Sequence, residues 1–155
     1  MERRKRLWIC LLIGVLLFIW GNSLLPASVS GAISGWLHNL LGTILRGNGN
    51  GFGGDGPLRK LAHFTEFALL GVVLFQLLRY RKERIGIVWL LSLCCGFLVA
   101  CADELLQHIS LGRAPRFGDV CIDTAGVLTG TLVYLIAYHI RKSKIIKEFI
   151  GGKQL

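Results

Sequence analysis

Four long apolar runs, separated by polar stretches, dominate the hydropathy pattern of this chain. They cover about residues 7–25, 58–78, 85–107 and 119–140. Each run holds close to the roughly 20 residues with which a helix crosses a hydrocarbon core about 30 Å thick. Isolated strands would leave backbone groups without hydrogen bonds in lipid. The pattern therefore predicts an all-α membrane protein, a single domain over residues 1–155 with four transmembrane helices.

A shorter periodic segment lies between the first two spans. Apolar residues recur at helical spacing over residues 33–46, and polar residues take the opposite face. The segment is short for a span, so it predicts an amphipathic helix that lies at the membrane interface or packs over the bundle. Residues 47–56 are rich in glycine and lack the GK[ST] ending of a phosphate-binding loop, which indicates a flexible tether.

The basic residues predict an orientation for these spans. The 155-residue chain is 53% hydrophobic and carries a formal net charge of +9. Thirteen of its 18 lysines and arginines lie in the N-terminal run, the turn at 79–84 and the C-terminal tail. By the positive-inside rule these three segments are cytoplasmic, and the connections at 26–57 and 108–118 lie outside. Membrane topology thus accounts for the positive charge, and we expect no nucleic-acid binding.

The first span is interpreted as an anchor that stays in the protein. A basic start followed by an apolar run also occurs in secretory signal peptides, whose apolar region holds about 7 to 15 residues. Here the run covers 19 residues, from 7 to 25. The length favours an uncleaved membrane anchor.

Polar residues gather on single faces of the other three spans, near their predicted outer ends. A charged side chain near the bilayer centre costs about 2.5 to 3.5 kcal/mol, so such residues usually face a polar cavity. Helical spacing places each group on one face of its span. The groups are Lys60, His63 and Glu66 on the second span, Asp103, Glu104 and Gln107 on the third, and Asp119 and Asp123 on the fourth. We therefore predict one wet pocket below the outer surface of the membrane.

A glycine stripe follows the acids of the fourth span. Gly126 and Gly130 lie one turn apart, on the stripe that begins with Asp119 and Asp123. Small residues at this spacing let another helix approach closely. The stripe is expected to draw the acids above it toward the axis of the bundle.

Roles for these residues follow from their chemistry. His63, Glu66 and Asp103 are the candidate catalytic residues, and the same three are candidate ligands of a divalent metal ion, the one cofactor considered. Lys60 and Arg113 are suited to contact anionic groups, although Lys60 could instead extend to the interface and Asp119 could cap its helix. The candidate substrate-binding residues are Lys60, Glu104, Gln107, Arg113, Asp119 and Asp123.

These motifs resemble the VanZ-like family. The resemblance rests on KLAHFTEFALLG at 60–71, DELLQ at 103–107, Arg113, and Asp119 before the glycine stripe. It implies a multi-pass protein of the bacterial cell membrane, in a family whose namesake is associated with resistance to the glycopeptide antibiotic teicoplanin. Where the family pattern has asparagine this chain has Asp123, which adds a negative charge to the pocket.

Three functions of different classes fit this prediction. The first is a binding or resistance protein whose pocket captures a membrane lipid, a lipid-linked cell-wall intermediate or the glycopeptide itself. The second is a membrane-embedded hydrolase or transferase, with or without a metal, that acts on a lipid-linked envelope substrate. The third is a small transporter or flippase, for which four spans would require a homodimer. The sequence favours them in that order.

Overall fold

The computed structural model describes residues 2–26, 28–29, 31–32, 35–36, 55–81, 83–110 and 116–151. Its long elements are all helical. They are α1 (Glu2–Leu24), α2 (Asp55–Leu78) with a 3-10 turn at Arg79–Arg81, α3 (Ile85–Ile109) and α4 (Phe117–Gly151). The structure describes only two residues of the predicted amphipathic helix at 33–46 and two of the predicted tether at 47–56. Arg113 also lies outside the described ranges.

Within the described residues, four helices are long and apolar enough to cross a membrane. These stretches are Glu2–Leu24, Arg59–Arg81, Ile85–Ile109 and Phe117–Ser143. Large apolar side chains such as Leu17, Leu98 and Val133 remain more than half exposed on the outer faces of the bundle. Such faces are stable in hydrocarbon and costly in water. The prediction of four helices long and apolar enough to span a membrane is confirmed.

Helices α2 and α4 form the most extensive contact of the bundle. A Cβ atom at Gly126 would meet the backbone carbonyl oxygen of Phe64, and one at Gly130 would meet that of Ala68. The two backbones therefore approach more closely than any residue larger than glycine allows at these positions. The predicted role of the glycine stripe is confirmed, and its partner is α2.

The same two helices are also joined toward their other ends. Tyr134 of α4 donates its hydroxyl hydrogen to the side-chain oxygen of Gln76 of α2. The guanidinium of Arg79 lies 3.8 Å from the ring centroid of Tyr138, at cation–π distance. Polar and aromatic contacts thus extend the α2–α4 pair beyond the glycine stripe.

α1 and α3 pack beside this pair around a core that includes Ile19, Phe67, Leu70 and Val127, each 0% exposed. The hydroxyl of Ser110, just after α3, donates to the backbone carbonyl oxygens of Leu24 at 3.3 Å and Leu25 at 3.0 Å. This contact brings the C-terminal end of α3 to that of α1. We call this end of the bundle, where α2 and α4 begin, the site end.

Candidate functional site

Polar side chains are buried at the site end of an otherwise apolar bundle. Asp103 is 0% exposed, Asp123 1%, Gln107 5% and Glu104 6%. Three of them lie on one face of α3, and Asp123 lies one turn before Gly126 on α4, where the close helix contact draws it inward. Buried charges persist in proteins when they are paired, hydrogen-bonded or bound to a metal. The arrangement is therefore a candidate functional site.

Asp103 is oriented by a neighbour on its own helix. Gln107 lies one turn further along α3, and its Nε2 donates to Oδ2 of Asp103 at 2.9 Å. The other oxygen, Oδ1, is buried and accepts no hydrogen bond from any residue that the structure describes. Asp103 therefore presents one fixed and one available oxygen to the interior of the site.

Glu104 links α3 to the start of α4. Its Oε2 accepts a hydrogen bond of 2.8 Å from the backbone N–H of Arg116, the residue before α4 begins. A backbone donor is held by the chain itself, so the contact fixes the position of this carboxylate. Glu104 thus has a clear positioning role at the end of the bundle.

Glu66 is tied to α1. Its Oε1 accepts a hydrogen bond of 2.9 Å from Nδ2 of Asn22, and its Oε2 is buried without a hydrogen bond from the described part of the chain. Asn22 was not predicted to be a site residue. An amide near the end of an otherwise apolar span was a signal for it, but helical spacing alone does not tell which helix the amide faces.

His63, Asp103 and Asp123 come together from α2, α3 and α4. One ligand atom from each, a ring nitrogen of His63 and a carboxylate oxygen of each aspartate, lies within 4.8 Å of the other two. Both carboxylate oxygens of Asp123 are buried and accept no hydrogen bond from described residues. An imidazole beside two carboxylates can transfer a proton or bind a divalent cation. Glu66, the third candidate ligand on sequence grounds, is not in this group, whose third member is Asp123.

A small recess opens beside this group. It has room for one water-sized species. The recess is lined by Arg59, Lys60, His63, Asp119, Ile122 and Asp123. Lys60 and Asp119, both predicted to bind substrate, thus lie at the same opening as His63. Arg59 was missed because its charge alone did not distinguish it from other basic residues at the ends of spans.

These features define a class: an α-helical, multi-pass membrane protein with a buried acidic site at one end of its bundle. The chain belongs to the VanZ/LLP1 family, whose model matches residues 7–138. The match covers most of the chain, including the parts of all four helices that reach the site, and confirms the family predicted from the motifs. No curated protein and no solved structure matches the chain significantly.

Proposed function

We propose that this VanZ/LLP1 protein binds the polar head of a membrane-anchored cell-envelope component and thereby contributes to resistance against glycopeptides such as teicoplanin. The observation that carries the proposal is the burial of Asp103, Glu104, Gln107 and Asp123 at one end of an apolar bundle. Burying these groups costs stability unless they are paired. A binding role would explain why the protein keeps these groups despite the loss of stability.

The proposal places the site end on the extracytoplasmic side. Its support is the distribution of Lys and Arg, which favours cytoplasmic termini and a cytoplasmic turn between α2 and α3. Lipid-linked wall intermediates and glycopeptide antibiotics meet on the outer side of a bacterial membrane. A site that opens on that side can bind the polar head of a precursor while the lipid of the precursor stays in the bilayer.

The chemistry of the opening suits an anionic lipid with a polar head. Arg59 and Lys60 line it and supply positive charge for a phosphate or diphosphate. The carboxylates below them accept hydrogen bonds from sugar hydroxyl or amino groups. Because the recess holds only a water-sized species, the bulk of the head lies at the mouth and only a small group enters.

Loss of the carboxylate charges at the site tests the resistance role. Glu66→Gln and Asp103→Asn keep the size of each side chain and remove its charge. Expressed in a teicoplanin-sensitive bacterium, each variant is expected to lose the protection given by the wild-type chain while accumulating in the membrane to the same level. The minimal inhibitory concentration and a membrane immunoblot measure the two quantities.

Glu83→Gln is the matched control, because Glu83 is an exposed carboxylate in the turn between α2 and α3, at the opposite end of the bundle. It is expected to protect as well as the wild type. Full protection by both site variants would disprove the proposed role of the site.

A second candidate function is a hydrolase or transferase, favoured by the position of His63 within 4.8 Å of two carboxylates. Such a histidine can act as a general base. Purified protein mixed with a polyprenyl-diphosphate-linked wall precursor distinguishes the two functions. Native mass spectrometry is expected to show a complex with the intact precursor, absent with phosphatidylcholine. A cleaved or modified precursor would favour the enzyme.

A further inference from the structure

Two carboxylates at the site lack the partners that buried charges need. Asp123 is 1% exposed, and neither of its oxygens accepts a hydrogen bond from the described residues. Asp103 is 0% exposed and uses one oxygen, toward Gln107. An isolated buried carboxylate is so costly that proteins pair it with a cation, bind it to a metal or leave it protonated. A cation or a proton between these two side chains would supply the missing partner.

The geometry points to a divalent transition-metal site formed by His63, Asp103 and Asp123. Their ligand atoms lie within 4.8 Å of one another. Ligands bonded to one ion at about 2.0 to 2.2 Å are separated by roughly 3 to 4 Å, so small side-chain rotations bring all three onto one metal. The inference extends beyond the proposed function, because metal binding is a property of the protein without any envelope ligand.

The donor set narrows the choice of ion. Imidazole nitrogen suits zinc and other transition metals, and carboxylate oxygen suits manganese and magnesium. One nitrogen with two oxygens therefore fits Zn²⁺ or Mn²⁺ better than Mg²⁺, which prefers an octahedral shell of oxygen and water. Protein sites generally bind Zn²⁺ more tightly than Mn²⁺, so Zn²⁺ is the expected ion.

The surrounding structure holds two of the three ligands in place. Gly126, one turn after Asp123, packs against the backbone carbonyl oxygen of Phe64, the residue next to His63. This backbone contact sets the distance between α2 and α4 at the level of the two ligands. A preorganised pair of ligands binds a metal without the cost of moving helices.

The remaining features match what metal sites need beyond their ligands. Gln107 donates to Asp103 and fixes its orientation, as outer-shell groups do around bound metals. Three protein ligands leave a fourth position free for water or a substrate oxygen. The recess beside His63 and Asp123 provides space for one such group.

A network of salt bridges is the competing explanation. Arg59 and Lys60 line the recess, and their positive charges could neutralise the carboxylates instead. The two explanations differ in one measurable respect. A salt-bridge network gives no stoichiometric metal binding and does not need His63.

The experiment uses the full chain, purified in detergent without a histidine tag and stripped with a chelator. Isothermal titration with ZnCl₂ is expected to give one site per chain, with Mn²⁺ binding more weakly and Mg²⁺ weakest. Outer-shell changes typically cost 10- to 100-fold in metal affinity, so loss of a direct ligand in His63→Gln or Asp123→Asn is expected to weaken Zn²⁺ binding at least about 100-fold.

His108→Gln is the matched control, because His108 is an exposed histidine on α3 outside the group. Its affinity for Zn²⁺ is expected to equal that of the wild type. Wild-type affinity in both ligand variants, or no stoichiometric Zn²⁺ in the wild-type protein, would overturn the inference. Titration of the wild type without any lipid keeps this outcome separate from failure of the proposed function.

X-ray absorption at the zinc edge tests the same inference without any variant that must fold. The wild-type protein is expected to show one imidazole nitrogen and otherwise oxygen ligands. Sulfur ligands would assign the metal to the cysteines, five of which the chain contains. That result, or two imidazoles per zinc, would overturn the assignment to His63, Asp103 and Asp123.

Discussion

Glu66 depends on a single side chain from another helix. Asn22 of α1 donates to its Oε1 at 2.9 Å, while Oε2 is buried without a described partner. Loss of a partner from a buried carboxylate costs about 1 to 3 kcal/mol. The contact therefore contributes both to the position of Glu66 and to the attachment of α1 at the site end.

Asn22→Ala is expected to lower the free energy of unfolding by about 1 to 3 kcal/mol, because it leaves Glu66 without this hydrogen bond. Reversible unfolding in mixed micelles measures the effect. A double-mutant cycle with Glu66→Ala, which removes the accepting oxygen, isolates the pair, and a coupling energy of at least about 0.5 kcal/mol is expected. Additive single effects would mean that the contact contributes nothing.

The same residues show what the sequence could predict at this scale. The spacing of His63 and Glu66, and of Asp103 and Gln107, was sufficient to place each pair on one helix face. It did not reveal that Asn22 bonds to Glu66 or that the backbone of Arg116 bonds to Glu104. Those contacts depend on the rotation of one helix against another, which a single periodic pattern does not encode.

Among the helices, the α2–α4 pair is defined by its glycines. Gly126 and Gly130 contact the backbone of α2, and Gly71 of α2 contacts the backbone of Val127 in the same way. The sequence was sufficient to predict that the stripe would pack against a helix. It did not identify α2 as that helix, because each of the three other spans offers an apolar surface against which the stripe could pack.

Gly130→Ala is expected to destabilise the bundle by about 1 to 3 kcal/mol, since the added Cβ would meet the carbonyl oxygen of Ala68 and push the helices apart. The unfolding midpoint in detergent measures it. Gly14→Ala is the control: Gly14 lies within α1 with no neighbouring atom within 4 Å of an added Cβ. Alanine is the better helix former, so that variant should be neutral or slightly more stable. Equal midpoints for the two variants would contradict the packing argument.

At the scale of the whole molecule, the four spans follow from hydropathy alone, because lipid leaves the backbone few alternatives. The proposed function also requires the orientation that the basic residues predict. Ser28, just beyond α1, must lie on the extracytoplasmic side of the membrane, and Glu83, in the turn before α3, must lie on the cytoplasmic side. Both side chains are exposed, so both positions accept a labelled cysteine.

Single cysteines at these two positions, in a chain whose five native cysteines are replaced by serine or alanine, test the orientation in intact cells. Ser28→Cys is expected to react with a membrane-impermeant maleimide, and Glu83→Cys is expected to react only after the cells are opened. The reverse pattern of labelling would place the site end on the cytoplasmic side of the membrane. The site end could then not meet precursors on the outer surface.

The glycine contact between α2 and α4 has a consequence for motion. Two helices whose backbones touch at Gly126 and Gly130 leave no gap for a lipid tail or a side chain to enter. An opening that admits a larger headgroup is therefore expected where α1 or α3 meets the other helices rather than between α2 and α4. Movement of α1 away from the bundle would break the hydrogen bond between Asn22 and Glu66.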